Sequence, residues 1–405
     1  MLQNRFYACI LLCTFLHSVF SQSRTVLEEV LRSSDTAIQR VVKNLEKHQV
    51  QIVLTQVEKT KNKSVQFETT SYQLDESFYF YPASTVKLPI AVLALQKIRA
   101  LQRAGIPIDI KTPFQVYDAK ETLIAANDST HPEGHLTIAH LIKKIFLLSD
   151  NTAYNYLFDF LGRDYINKEL DKKGLKQIQL SHKFLSGANN DTNWAFIFYD
   201  LNGNLIYTQP SISSYQFHNN TKLNGIKKGV GFIKEEQYIA SPMDFSEKNR
   251  ASLLDLEGIL KRVIFPEVFA SKAQFELEAS DYEFLKYWMS RTTLESSISE
   301  YNTGDYWDSY VKFFVYGDQK GKMNDQLRIY NKVGYAYGTL TDIAFIEDKK
   351  SGLCFFLSAT LLVNQNEIFN DDLYEYEDIG IPFLAALGRQ VLDQLRIKRA
   401  NSPIE

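Results

Sequence analysis

The run from Leu88 through Ala91, Val92, Leu93, Ala94 and Leu95 to Ile98 is apolar almost all the way round a helix. Such a helix has no solvent face and is packed on every side. The rest of the chain must therefore build a core around it. The stretch that opens it, Pro82-Ala83-Ser84-Thr85-Val86-Lys87-Leu88-Pro89, places Ser84 and Lys87 three apart. On a helix that spacing sets both side chains on one face. A lysine at the mouth of a buried helix loses solvation, its pKa falls, and it can take the serine's proton. A serine at a helix start also offers its backbone N–H to an anion. The plain alternative is an N-cap serine beside a solvated lysine. Ser-x-x-Lys alone is a weak motif, so the rest of the chain decides.

The 405 residues allow one large core or two closely packed domains. A formal charge of −3 implies no nucleic-acid or membrane-surface partner. Arg5 is the only charged residue before Arg24, and Cys9 to Leu16 between them is apolar. With short residues around Ser21, residues 1–21 read as a secretory signal peptide, too short to span a membrane. Cys9 and Cys13 would leave with it. Cys354, in an apolar run, reads as a buried core thiol.

Residues 25–48 read as one amphipathic helix, and residues 51–57 and 64–69 as strands joined by a polar Lys/Asn loop. The helix carrying Ser84 spans about 84–103. Leu136 to Leu148 is helical and stops at Ser149-Asp150-Asn151. A second helix follows to about Leu161, and a third ends at Gly174. The serine, aspartate and asparagine suit either a plain cap and turn or a loop that aims polar groups into a cleft. Two aromatic runs flanking Asn202-Gly203 give a strong hairpin signal. A helical run resumes from Ser241-Pro242 and another covers about 281–291. Residues 328–334, 339–346 and 353–363 read as antiparallel strands, and 377–397 as a closing helix. This order implies a sheet whose halves are separated by an inserted helical block.

Three stretches now stand in sequence: Ser84-Thr85-Val86-Lys87, Ser149-Asp150-Asn151 and Lys332-Val333-Gly334. Together with Tyr337 to Ala344, they resemble the serine β-lactamase and penicillin-binding protein superfamily, class A β-lactamases above all. The resemblance implies an α+β fold: an antiparallel five-stranded sheet flanked by N- and C-terminal helices, with an inserted all-α domain. Residues 22–80 and 255–400 would form the discontinuous sheet domain. Residues 81–254 would form the mainly helical one, with a hairpin insertion at about 186–240. The resemblance also implies roles. Ser84 is the acylated nucleophile, Lys87 its base, and Ser149 the donor to the leaving nitrogen. Asn151, Lys332, Gly334 and Tyr335 hold the substrate, with the N–H groups of Ser84 and Tyr335 as the oxyanion hole. The implied substrate is a β-lactam or a D-Ala-D-Ala-like peptide, without cofactor or metal, acted on by an exported monomer.

Two departures stand out. Val333 replaces the family's Thr or Ser, removing a hydroxyl toward the substrate carboxylate, for which Tyr335, Tyr337 or Thr341 are substitutes. The Glu-x-x-Leu-Asn segment of class A enzymes, whose glutamate activates the deacylating water, is missing. The corresponding place reads Ser181-His182-Lys183-Phe184-Leu185-Ser186-Gly187-Ala188-Asn189-Asn190. Glu169 reads as a surface residue of the preceding helix. His182 is either a substitute base or a structural histidine. Acylation is thus better supported than rapid deacylation, which leaves open a β-lactamase, a D,D-peptidase or peptidoglycan amidohydrolase, and a sensor that acylates once. His131, His135 and His140 lie at spacings of four and five, but Pro132 and Gly134 break the helix that a metal site would need.

Overall fold

The computed structural model describes residues 24–59, 64–215, 222–296, 298, 301 and 303–401. The leader expected over 1–21, with Cys9 and Cys13, lies outside the described residues, as does most of the loop expected between the first two strands. Five strands form the main sheet: β1 (Gln51–Lys59), β2 (Val65–Tyr72), β3 (Leu327–Ala336), β4 (Thr339–Asp348) and β5 (Leu353–Leu362). Their order is β3-β4-β5-β1-β2, and every neighbouring pair is antiparallel. The chain therefore lays down one half of the sheet, departs for about 250 residues, and returns with the other half. β3 and β4 turn on Tyr337-Gly338, both at positive φ (50° and 73°), with Ala336 opposite Thr339. That is the two-residue turn whose twist matches a hairpin.

The expected helix over 25–48 is broken into α1 (Val26–Leu31), α2 (Thr36–Val42) and a last turn at Leu45–His48. Asp35 stops continuity because its carboxylate accepts from Ala37 N and Ile38 N, starting a new helix there. With the C-terminal helix, α1 and α2 cover one face of the sheet through Val30, Ile38, Ile329, Ala344 and Leu387. The other face packs on the helical block through Val53, Ile343, Phe345 and Phe356.

That block holds α3 (Lys87–Arg103), α4 (Ile138–Leu148), α5 (Asn151–Leu161), α6 (Arg163–Lys172), α7 (Leu253–Ile264) and α8 (Ala279–Ser290); the C-terminal helix is α9 (Ile381–Asn401). α3 is buried on every side from Leu88 to Gln96, as its composition demands. The hairpin around Asn202-Gly203 forms between Ala195–Tyr199 and Leu205–Gln209, and pairs further with Phe114–Tyr117. The helix expected from Ser241 starts only at Leu253, where the Ser252 hydroxyl accepts from Asp255 N. Before it, Met243-Asp244 pairs as a short strand with Lys227-Lys228. Cys354 is half-buried on β5 rather than fully enclosed. Among the described residues, no helix is long and apolar enough to cross a membrane.

Candidate active site

From Tyr79 to Gln96 the chain is buried at every position except Ser84. Ser84 sits in a 3-10 turn, Ala83–Val86, that leads into α3. Ala83 is held at φ 45°, a left-handed conformation costly for a residue with a Cβ. The Thr85 hydroxyl donates to Pro82 O at 2.6 Å and pins the turn. The result is one serine lifted out of an otherwise closed segment.

Lys87 is fully buried one turn on. Its amine donates to Asn151 Oδ1 at 2.7 Å, to Ser149 Oγ at 3.3 Å and to Ser149 O. Burial pulls its pKa down to about 7, against a weaker opposing pull from Asp150. Asp150 is turned away to cap α5, accepting from Ala153 N at 2.7 Å, and stands 3.7 Å from the Lys144 amine.

Ser149 caps the C-terminus of α4 at φ 59°. The left-handed turn brings both its carbonyl and its hydroxyl to Lys87. From the other side the Lys332 amine donates to Ser149 Oγ at 2.8 Å and to Val333 O at 2.8 Å. Burial, and the nearby Lys87 charge, lower the Lys332 pKa well below the usual lysine range. Behind it Lys312 donates to Asn331 Oδ1 at 2.7 Å, and Asn331 donates to Asp342 Oδ1 at 2.9 Å. This enclosed polar chain places one carboxylate, Asp342, behind the two site lysines. Burial raises its pKa to about 6.

Gly334 explains how β3 approaches the serine. A Cβ there would stand 2.7 Å from Ser84 N, 2.7 Å from Pro82 O and 2.8 Å from Thr85 N. Only glycine lets the edge strand lie against the turn. Val333 points the opposite way, into the apolar layer with Ile329, Phe313 and Leu361. A hydroxyl at that position would face the far side of the sheet. Thr341, one expected substitute, is committed to Thr360 Oγ1 at 2.8 Å in the sheet interior. The Tyr335 ring packs on Phe313 and Tyr376 and is half exposed. Tyr337 lines a cleft of about 730 Å³ with Tyr81, His182 and Phe184.

The structure thus joins Lys87, Ser149, Asn151 and Lys332 in one hydrogen-bonded cluster, and lays Gly334 against the backbone of Ser84. Other expectations change. Glu169 is buried, not on the surface, and accepts from Gln96 at 2.9 Å and Lys172 at 2.6 Å. His182 stacks flat on Tyr81, 6.3 Å between centroids, and its Nδ1–H donates to Lys183 O at 2.8 Å. Burial lowers its pKa to about 4. The His131 ring packs on those of His135 and His140, and His140 Nε2 meets Thr130 Oγ1 at 2.7 Å. Among the described residues, no group of three or more His, Cys, Asp or Glu is arranged to hold a metal.

Sequence spacing gave no sign of two further residues. The Phe184 ring lies 5.2 Å from the Lys87 amine. Asn249, fully buried, accepts from Ser181 N at 2.7 Å and His182 N at 3.1 Å, and so fixes the loop carrying Phe184. Both depend on how loops fold back, which periodicity does not report.

A family model described as the β-lactamase enzyme family matches residues 33–394. The chain belongs to that family. It is a hydrolase of the serine β-lactamase type, in the serine β-lactamase and penicillin-binding protein superfamily. No curated protein matches it. Among solved structures, it is similar to L2 in complex with relebactam, at 13% identity over 91% of this chain and 98% of that one, TM-score 0.50. A β-lactamase from Streptosporangium roseum matches at 14% identity over 91% and 98%, TM-score 0.50. A class A β-lactamase from Mycobacterium abscessus matches at 17% over 92% and 99%, TM-score 0.48. At these identities the first two establish a common α+β fold with an antiparallel five-stranded sheet and flanking helices.

Proposed function

We propose that this family member acts through an acyl ester on Ser84, opening the amide of a β-lactam or of a peptide ending in D-Ala-D-Ala. The observation that carries the reading is the convergence of Lys87 and Lys332 on the Ser149 hydroxyl, with Lys87 one helical turn from the one accessible residue of a buried segment. In this reading Ser84 Oγ attacks the amide carbonyl carbon and its proton passes to the neutral Lys87 amine. Ser149 then hands a proton to the departing nitrogen. The N–H groups of Ser84 and Tyr335 receive the oxyanion, a contribution of about 2.7–4 kcal/mol per donor. Asn151 holds Lys87 and the substrate's amide carbonyl. Lys332 draws the substrate carboxylate, without help from Val333.

The expected leader over residues 1–21 supports export, and N-terminal sequencing of protein recovered outside the producing cell tests it. A monomer is the expected state, and light scattering of the purified protein tests it. The substrate is decided by assaying the purified protein with nitrocefin and with a D-Ala-D-Ala pentapeptide. Opening of nitrocefin supports a β-lactamase. Release of D-Ala with negligible nitrocefin turnover supports a D,D-peptidase. That second reading is favoured by one observation: the ring that stands against the Lys87 amine is a phenyl, where a class A enzyme would have a carboxylate. Failure of both substrates to react with Ser84 contradicts the proposal.

A further inference from the structure

Phe184 belongs to a loop that is pinned from two sides. Its N–H donates to Asn155 Oδ1 at 2.8 Å, and Asn155 Nδ2 donates to Phe184 O at 3.4 Å. The preceding residues are held by Asn249, whose amide oxygen accepts from Ser181 N and His182 N. The ring itself lies 4.5 Å from that of Tyr154 and 5.9 Å from that of His182, centroid to centroid. Its position against Lys87 is therefore built in by buried partners on several elements.

Hydrolysis of an ester on Ser84 has definite requirements. A water oxygen must bond to the carbonyl carbon while a nearby base takes its proton. The Ser84 Oγ–carbon bond then breaks, the proton returns to Ser84, and a free carboxylic acid leaves. Lys87, one helical turn from Ser84, is the base assigned above, and a water serving it must stand beside its amine. The amine's other directions are taken by Asn151 Oδ1, Ser149 O and Ser149 Oγ. The Phe184 ring stands against the amine, 5.2 Å to its centroid, and presents a surface that offers water no strong hydrogen bond. Among the described residues, no carboxylate hydrogen-bonds or ion-pairs with the Lys87 amine.

We propose that Phe184 is the water-excluding residue of this site, and that it makes the acyl-enzyme formed from a β-lactam long-lived. The proposal rests on acylation of Ser84 as read above, and its failure is distinguishable from failure of that reading. The ring acts by denying a place to water, so its size and apolarity are what matter.

The test follows the acyl-enzyme by intact-protein mass spectrometry after a pulse of benzylpenicillin, with excess drug removed. In the wild-type protein the adduct persists for hours. Phe184→Ala and Phe184→Ser open the space, and each shortens the adduct's lifetime by about tenfold or more. Phe184→Leu, which keeps an apolar filling, stays close to wild type. Acylation rates change far less than lifetimes across the series, which separates water exclusion from general damage to the site. Thermal melts confirm that each variant is folded. Should the alanine and serine variants fail to fold, the wild-type and leucine lifetimes still decide. A wild-type or leucine adduct lost within seconds overturns the proposal. So do alanine and serine variants that hold the adduct as long as the wild type. Absence of any adduct overturns the reading of Ser84 beneath it.

Discussion

The Lys332 amine donates to the Ser149 hydroxyl at 2.8 Å, although 183 residues separate the two in sequence. Lys87 reaches the same oxygen from the other side at 3.3 Å. Burial lowers the pKa of both lysines, and the Lys87 charge lowers that of Lys332 further. The hydroxyl between them therefore faces two amines, of which Lys87, at about 7, can give or take a proton near neutral pH.

A pH dependence follows. Lys87 must be neutral to accept the serine's proton, and its pKa is lowered to about 7. Below that value the amine is protonated and acylation is slow; above it the free base dominates. The acylation rate of a fluorescent penicillin should rise with pH through a midpoint near 7. A flat profile from pH 5 to 9 contradicts the assignment of Lys87 as base.

Gly334 carries a steric prediction. Gly334→Ala would put a Cβ 2.7 Å from both Ser84 N and Pro82 O, which are backbone atoms with little room to move. The strand must retreat from the serine. Acylation should fall about 100- to 1,000-fold, the scale of losing one oxyanion donor. Far-UV circular dichroism and acylation kinetics measured together check this.

Val333 was expected to mark a lost substrate contact, and the structure predicts otherwise. Its side chain lies in the apolar layer on the far face of β3. Val333→Thr should not raise acylation, and it should cost about 1–3 kcal/mol for burying a hydroxyl. Urea denaturation and penicillin acylation of the same variant test both statements.

Lys183 and Asp159 form an enclosed ion pair at 3.0 Å, each side chain nearly inaccessible. The pair ties the loop carrying Phe184 to α5. Removing one partner strands the other charge, so Asp159→Ala should lose about 3–5 kcal/mol by chemical denaturation. The apolar double replacement Asp159→Leu with Lys183→Met should recover much of that loss.

The sequence revealed those features whose cause is local. The all-round apolar run of α3 is buried as its composition requires. The Asn202-Gly203 turn forms its hairpin, and the five strands pair in antiparallel order. The three motif stretches meet because the two halves of the sheet are brought together across the helical block. What was hidden depends on long-range closure. The N-terminal helix was broken by Asp35 capping α2, a choice between two locally acceptable conformations. Glu169 looks like a surface residue on its own helix, yet Gln96 of α3 covers it. Val333 looks like a missing substrate contact until the register of β3 turns it to the other face. Phe184 has no signature at all, since its contact with Lys87 is fixed by Asn155 and Asn249 from other parts of the chain.

The central claim is that Ser84 is the residue that reacts. Incubating the purified protein with benzylpenicillin and mapping the product by peptide mass spectrometry tests it directly. The account predicts one added penicilloyl mass, on the peptide containing Ser84, and none in Ser84→Ala. An unmodified wild-type protein, or an adduct that survives Ser84→Ala, would contradict it.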